Sequence, residues 1–251
     1  MSLRFENKVA VVTGGGSGIG RAIAIKFAEE GAKVVIAGRR EKALQETAQF
    51  NSNISYVVAD ITKTENVKDI IDYVKDNLGG KIDILVNNAG YCPVQPLKEI
   101  TMADYDNAFN LDVRALVDMT IQALPLVIEA KGNIINLSTV GATHRAPNLS
   151  MYVGAKAAVE NFTRCWAIEL AADGVRVNAI APGAVDTEIW TVPGLTEEQA
   201  KAHRDGIAAT IPCNRFARPE EIANVAAFLA SEDASYVSGA IYAVDGAQGA
   251  S

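Results

Sequence analysis

Tyr152 and Lys156 stand four residues apart near the start of a predicted helix, so their side chains share one face and their functional groups converge. A phenol ordinarily ionises near pH ~10, and a neighbouring ammonium stabilises the phenolate, drawing it towards acid–base work at neutral pH. The pair alone also reads as a solvated helix face. Ser138 changes the weighing, because it ends the apolar run 133–137, a predicted strand. In a parallel sheet the carboxyl ends of strands and the starts of the following helices surround the ligand crevice. A proton donor, a cation and a hydroxyl are therefore expected to meet at one edge of a sheet.

A second cluster sits at the first strand-to-helix junction, Thr13-Gly14-Gly15-Gly16-Ser17-Gly18-Ile19-Gly20. Glycines permit a tight turn and let a pyrophosphate approach the backbone, while the helix start offers free N–H groups and partial positive charge. A phosphate-hydrolysing loop requires Gly-x4-Gly-Lys-Ser/Thr. Here Gly15-x4-Gly20 continues with Arg21 and Ala22, which supply neither the lysine nor the magnesium-binding hydroxyl. The spacing of Gly14, Gly18 and Gly20 is G-x3-G-x-G.

The elements that must position these groups follow from hydrophobic pattern. Short β-branched runs at 9–12, 33–37, 54–58, 82–86, 133–137, 175–180 and 240–244 alternate with helix-length segments near 18–31, 40–50, 64–78, 103–130, 150–173 and 219–230. Several runs are apolar on both faces, as buried parallel strands are. Gly31, Gly79, Gly132 and Gly174 stand where helices should stop, and Thr64 and Thr101 resemble helix starts. The pattern predicts one α/β domain over 1–251, a doubly wound, seven-stranded parallel sheet with helices on both faces. The long interruption at 182–218 carries Pro193-Gly194 and a helical patch at 196–209, and is expected to form a lid around 186–215.

The chain has 251 residues, 23 Lys plus Arg against 30 Asp plus Glu, and a formal charge of −7. No basic run offers the electrostatic footprint of a nucleic-acid binder. No apolar stretch approaches the roughly 18 residues of a membrane span, and residues 1–8 lack the apolar core of a signal peptide. Cys92, Cys165 and Cys213 are widely spaced, and the only histidines are His144 and His203, so neither a disulfide framework nor a metal centre is expected. These features read as a cytoplasmic protein with no membrane or nucleic-acid partner.

From residue 8 to about residue 246 the sequence resembles the short-chain dehydrogenase/reductase family. The matching motifs are Thr13-Gly14-x3-Gly18-x-Gly20, Asp60, Asn87-Asn88-Ala89-Gly90, Asn110, Ser138, Tyr152-x3-Lys156 and Pro182-Gly183-x3-Thr187. The resemblance implies an NAD(P)-dependent oxidoreductase interconverting a secondary alcohol and a ketone, with every catalytic position filled. By that resemblance Tyr152 would exchange the proton, Ser138 would orient the carbonyl oxygen, and Lys156 would hold the nicotinamide ribose and favour ionisation of Tyr152. Asn110 would position a water leading from Lys156 to solvent. Gly14, Ser17, Gly18, Ile19 and Gly20 would cradle the dinucleotide, Asp60 and Ile61 would meet the adenine, and Asn88, Ala89 and Gly90 the adenosine ribose. Asn87 would brace neighbouring strands, and Val185 and Thr187 would fix the carboxamide. A homotetramer is implied as well.

The end of the second strand bears on the choice of dinucleotide. An acidic residue there binds the adenosine ribose hydroxyls, whereas an arginine accommodates a 2′-phosphate. This strand runs into Gly38-Arg39-Arg40, with no carboxylate until Glu41, so NADP(H) is expected through Arg39, with Ser17 assisting and NAD(H) the alternative. The competing account makes both arginines the start of a solvated helix. Apolar Pro93, Val94, Leu149 and Trp190 lean towards a hydroxysteroid or other bulky ketone, with a 3-oxoacyl-(acyl-carrier-protein) reductase as runner-up. Outside that class stands a catalytically silent nucleotide-binding regulator, whose expected loss of Tyr, Lys or Ser is not seen; an epimerase or dehydratase would usually carry a larger C-terminal substrate region. His144 reads as a pocket or a solvated loop residue, Trp190 as a substrate cover or lid packing, and Cys92 and His203 receive no role.

Overall fold

The computed structural model describes residues 3–144, 147–190 and 196–250. Pro193-Gly194 of the expected lid and Arg145 beside His144 lie outside them. Seven strands, β1 (Val9–Thr13), β2 (Lys33–Gly38), β3 (Ile54–Val58), β4 (Ile84–Asn87), β5 (Asn133–Leu137), β6 (Arg176–Pro182) and β7 (Ile241–Val244), form one parallel sheet in the order β3-β2-β1-β4-β5-β6-β7. The chain reverses direction across the sheet between β1 and β4, and ligands of such sheets bind outside the carboxyl ends at that point.

Every residue of β1, β4 and β5 is buried, as expected for strands covered on both faces. Alternate side chains divide between two cores. Ala10, Val12, Ile36 and Val86 pack with Ile23 and Phe27 of α1 (Gly18–Glu29), Leu44 of α2 (Glu41–Ala48), and Ile222 and Ala226 of α8 (Pro219–Ala230). Val9, Val11, Val35 and Leu85 pack with Ile70 and Val74 of α3 (Thr64–Leu78), Met119 and Val127 of α5 (Leu116–Ala130), and Ala167 of α6 (Ser150–Glu169). The expected doubly wound architecture is the observed one. Among the described residues no helix is long and apolar enough to cross a membrane, and no cluster of His, Cys, Asp and Glu is arranged to hold a metal ion.

Two local expectations are corrected. The single helix expected over 103–130 is α4 (Met102–Phe109), a π-helical turn at Asn110–Ala115, and α5. Thr101 caps α4 reciprocally with Asp104, and α3 begins at Thr64, both as expected; the Thr64 hydroxyl donates to Asp118 at 2.7 Å, tying α3 to α5. Gly132 does not supply the left-handed end of α5. Lys131 does, at φ 49°, and Gly132 is required for close approach, since a Cβ there would lie 2.6 Å from the Asp83 carbonyl oxygen. The helical patch of the long interruption is α7 (Glu197–Ala208), capped reciprocally by Thr196 and Gln199.

Candidate active site

A cleft of about 750 Å³ opens at the carboxyl ends of the strands, within the usual range for a cofactor or ligand site. Gly14–Ser17–Gly20 form its floor on one side, with Gly14 at φ +69° and Gly18 at φ +52°. A Cβ on Gly20 would come within 2.4 Å of both the Gly14 carbonyl oxygen and the Asn88 amide nitrogen, so the helix start and the β4 turn meet here only through glycine. Asn88 donates to the Thr13 carbonyl at 2.8 Å, and the Thr13 hydroxyl accepts the Asn88 and Ala89 N–H groups at 3.0 and 3.1 Å. Behind them Asn87 donates to Thr120 and Asn136, and Asn136 to Thr163, a buried amide ladder across β4 and β5 that matches the bracing role expected of Asn87.

Along the rest of the cleft stand Ile19, Arg39, Asp60, Ile61, Asn88, Gly90, Cys92, Leu137, Ser138, Thr139, His144, Tyr152, Lys156, Val185, Thr187 and Trp190. Asp60 takes its ordinary turn role as well, accepting the Thr62 N–H and hydroxyl at 3.1 and 2.8 Å. Trp190 donates its indole N–H to the Val185 carbonyl at 2.9 Å and stands edge-on to Phe216. Its ring thus packs the 183–190 segment onto the body while bordering the cleft. His203 lies outside the cleft, on exposed α7.

Among the catalytic candidates one assignment changes. Ser138 is buried at 4% exposure, and its hydroxyl donates to Glu160 Oε1 at 2.9 Å, not to Tyr152. The hydroxyl hydrogen-bonded to Tyr152 is that of Thr139. Adjacent residues in extended chain face opposite sides, so the side of the sheet that Ser138 gives to α6 leaves Thr139 facing the cleft. Glu160 was one helical turn beyond Lys156 in sequence, a signal that a buried partner awaited one of the two hydroxyls.

Lys156 is 3% exposed, 5.9 Å from the centroid of the Tyr152 ring. Its ammonium donates to the Leu137 carbonyl at 3.0 Å and pairs with Asp112 Oδ1 at 3.1 Å. Asp112, which the sequence reading missed, comes from the π-helical turn that Asn110 opens. Asn110 itself does not border the cleft. Burial pushes the Tyr152 phenol above its ordinary range, and the neighbouring Cys92 and Asp112 add to that, against the Thr139 hydrogen bond. Burial likewise pushes the Cys92 thiol up to about 11, so it stays protonated and unreactive.

At the far end of the cleft Arg40, not Arg39, makes the ordered contacts. Its guanidinium donates to the Ser17 hydroxyl at 2.9 Å and to Glu188 at 3.3 Å. Arg39 borders the cleft with an exposed side chain, and no carboxylate follows β2 before Glu41. A Cβ on Gly38 would meet only Leu44, at 3.5 Å. Free helix-start amides, glycines that admit a close backbone approach, and an arginine-flanked β2 end fit a dinucleotide.

A family model described as enoyl-(acyl carrier protein) reductase matches residues 14–247. The 3-oxoacyl-[acyl-carrier-protein] reductase FabG of Thermotoga maritima is 35% identical, over 97% of this chain and 98% of that one. Meso-2,3-butanediol dehydrogenase of Serratia marcescens is 36% identical, over 99% and 97%. The structure of 3-ketoacyl-(acyl-carrier-protein) reductase from Brucella melitensis complexed with NADH superposes with a TM-score of 0.89 at 32% identity, over 98% of this chain and 99% of that one. The chain belongs to the short-chain dehydrogenase/reductase family. As a short-chain dehydrogenase/reductase it is a nicotinamide-dependent oxidoreductase of the secondary alcohol–ketone class.

Proposed function

We propose that the protein reduces a ketone to a secondary alcohol, and runs the reverse oxidation, with Tyr152 as general acid and base, Thr139 as the hydroxyl that orients the substrate oxygen, and Lys156 as the cation beside them. The observation that carries this reading is the convergence of Thr139, Tyr152 and Lys156 at the same cleft as the Gly14–Gly20 turn. The nicotinamide supplies or accepts the hydride. Tyr152, protonated at neutral pH, gives its phenolic proton to the carbonyl oxygen, and Thr139 fixes that oxygen as charge develops on it. Lys156 would hold the ribose, Gly14, Ser17, Gly18, Ile19 and Gly20 the pyrophosphate, Asp60, Ile61, Asn88 and Gly90 the adenosine, and Val185 and Thr187 the carboxamide. The described parts of the expected lid, 186–190 and 196–215, would cover the cleft, with Glu188, Ile189 and Trp190 along its edge. Asn110 acts through the backbone turn it opens. A panel of ketones and secondary alcohols, followed by nicotinamide absorbance, tests this; no turnover with any of them would overturn it.

The substrate is an apolar, bulky ketone such as an oxosteroid, supported by Leu149 and Trp190 along the cleft and by Tyr91, which the sequence did not single out, whereas Pro93 and Val94 do not border it. The second reading, reduction of a 3-oxoacyl thioester, is favoured by the likeness to the Thermotoga maritima and Brucella melitensis acyl-carrier-protein reductases. The same assay with an acyl thioester separates them.

NADP(H) is the preferred cofactor. Arg39 and Arg40 flank the cleft where a 2′-phosphate would lie, and Ser17 already shares a hydrogen bond with Arg40. Glu188, paired with Arg40, would exchange partners with the phosphate. Wild type is expected to show higher kcat/KM with NADPH than with NADH. Gly38→Asp/Arg39→Leu should reverse that order, because the Gly38 site has room for a Cβ; a wild-type preference for NADH would sink the assignment.

A homotetramer in the cytoplasm is the remaining part of the proposal. The outer faces of α5 and α6 carry Ile121 at 63% and Ile168 at 80% exposure, beside the Phe162–Trp166 stack. Exposed apolar side chains on these two helices are what a subunit contact would cover. Light scattering at micromolar concentration should report about four times 26.6 kDa, and a 26.6 kDa species alone would refute it.

A further inference from the structure

The Lys156 ammonium has three protons to donate, of which one goes to the Leu137 carbonyl and one to Asp112. Asp112 is completely buried, and Lys156 nearly so. The carboxylate also accepts the Tyr91 backbone N–H, at 3.2 and 3.3 Å to its two oxygens. Gly90 makes the space for the pair: a Cβ there would lie 2.6 Å from Asp112 Oδ1 and 3.2 Å from Lys156 Nζ. Three segments therefore converge on one ion pair, the π-helical turn, the loop after β4, and α6.

A buried ion pair is a weak means of stabilising a fold, because desolvation offsets most of the Coulomb gain, and apolar residues of similar volume do as well. The roles given to Tyr152, Thr139 and Lys156 make no use of this carboxylate. We propose that Asp112 is a positioning residue of the proton-transfer centre, holding the Lys156 ammonium against Tyr152 and balancing its charge. The inference rests on the reading of Tyr152 as the acid–base group. The titratable groups facing Asp112 are Lys156 and Tyr152 from α6 and Cys92 from the loop after β4, while Arg114 of its own turn reaches instead to the Thr62 carbonyl.

The sign of the effect follows from charge. Asp112 and Lys156 together present little net field to the phenol, and the negative member acts to keep it protonated. Neutralising Asp112 leaves the ammonium unbalanced beside Tyr152, which favours phenolate. Asp112→Asn keeps the shape and the acceptor for the Tyr91 amide but removes the charge. In this variant the alkaline rise of kcat/KM for alcohol oxidation should move down by about one pH unit. The ionisation of Tyr152, read in the free protein as ultraviolet difference against Tyr152→Phe, should move the same way. Asp112→Ser, a smaller acceptor, should reproduce the direction if the amide variant does not fold. An unmoved titration and rate profile in a folded variant would overturn the proposal. Since the phenol titration needs no turnover, a Tyr152→Phe enzyme that still turns over would defeat the acid–base reading by a separate result.

Discussion

Replacing Tyr152 with phenylalanine is expected to lower kcat by about 10²–10⁴-fold while leaving the fold and cofactor binding in place. The ring stays, so packing along α6 is kept, and only the hydroxyl that meets Thr139 is lost. Loss of an interaction made in the transition state appears in kcat, whereas loss of uniform binding appears in KM. The direction of the phenol's shift sets the pH dependence. Raised above the ordinary range, Tyr152 is protonated through neutral pH, so kcat/KM for ketone reduction should be flat there and fall only in strong alkali. Oxidation needs the phenolate and should climb with pH over the same range. Steady-state kinetics in both directions checks each half, and near-native turnover in Tyr152→Phe would falsify the assignment.

The second large effect separates two neighbouring hydroxyls. Thr139→Ala should lower kcat by about 10²–10³-fold, the usual loss when one donor to a developing oxyanion is removed, and Thr139→Ser should restore most of it. Ser138→Ala should act on stability instead. Its hydroxyl satisfies Glu160, a carboxylate 5% exposed whose other contact is Arg164 at 3.6 Å. Leaving a buried acceptor short of a partner costs about 1–3 kcal/mol, which thermal melting would register as a lower Tm. The two variants thus exchange their signatures, one catalytic and one structural. A Ser138→Ala enzyme with native Tm and collapsed kcat would return the catalytic role to Ser138.

Much of this molecule was legible in the sequence because its information is local. Two-faced apolar runs such as 9–12 and 133–137 read as buried parallel strands, and alternation with helix-length segments implied the doubly wound sheet. The glycine turn was recognisable because the constraint on Gly14, Gly18 and Gly20 is steric and belongs to the backbone itself. Tyr152 and Lys156 were paired correctly because helical spacing fixes which side chains are neighbours.

What the sequence left open depended on groups brought from elsewhere. Ser138 and Thr139 are both hydroxyls at a strand end, and the choice between them was made by Glu160 reaching back from α6. Arg39 and Arg40 look alike in sequence, and Ser17 and Glu188 singled out Arg40 for ordered contact. Asp112 carried no periodic signal, because a π-helical turn breaks the period by which a helix face is read. Its partner is 44 positions away on another helix, as the numbering of Asp112 and Lys156 shows. Chain-local sterics and periodicity set the fold and the spacing of Tyr152 and Lys156, whereas burial and long-range charge, which exist only once the segments are packed, gave Ser138 to Glu160 and Thr139 to Tyr152, Arg40 to Ser17 and Glu188, and Asp112 to Lys156.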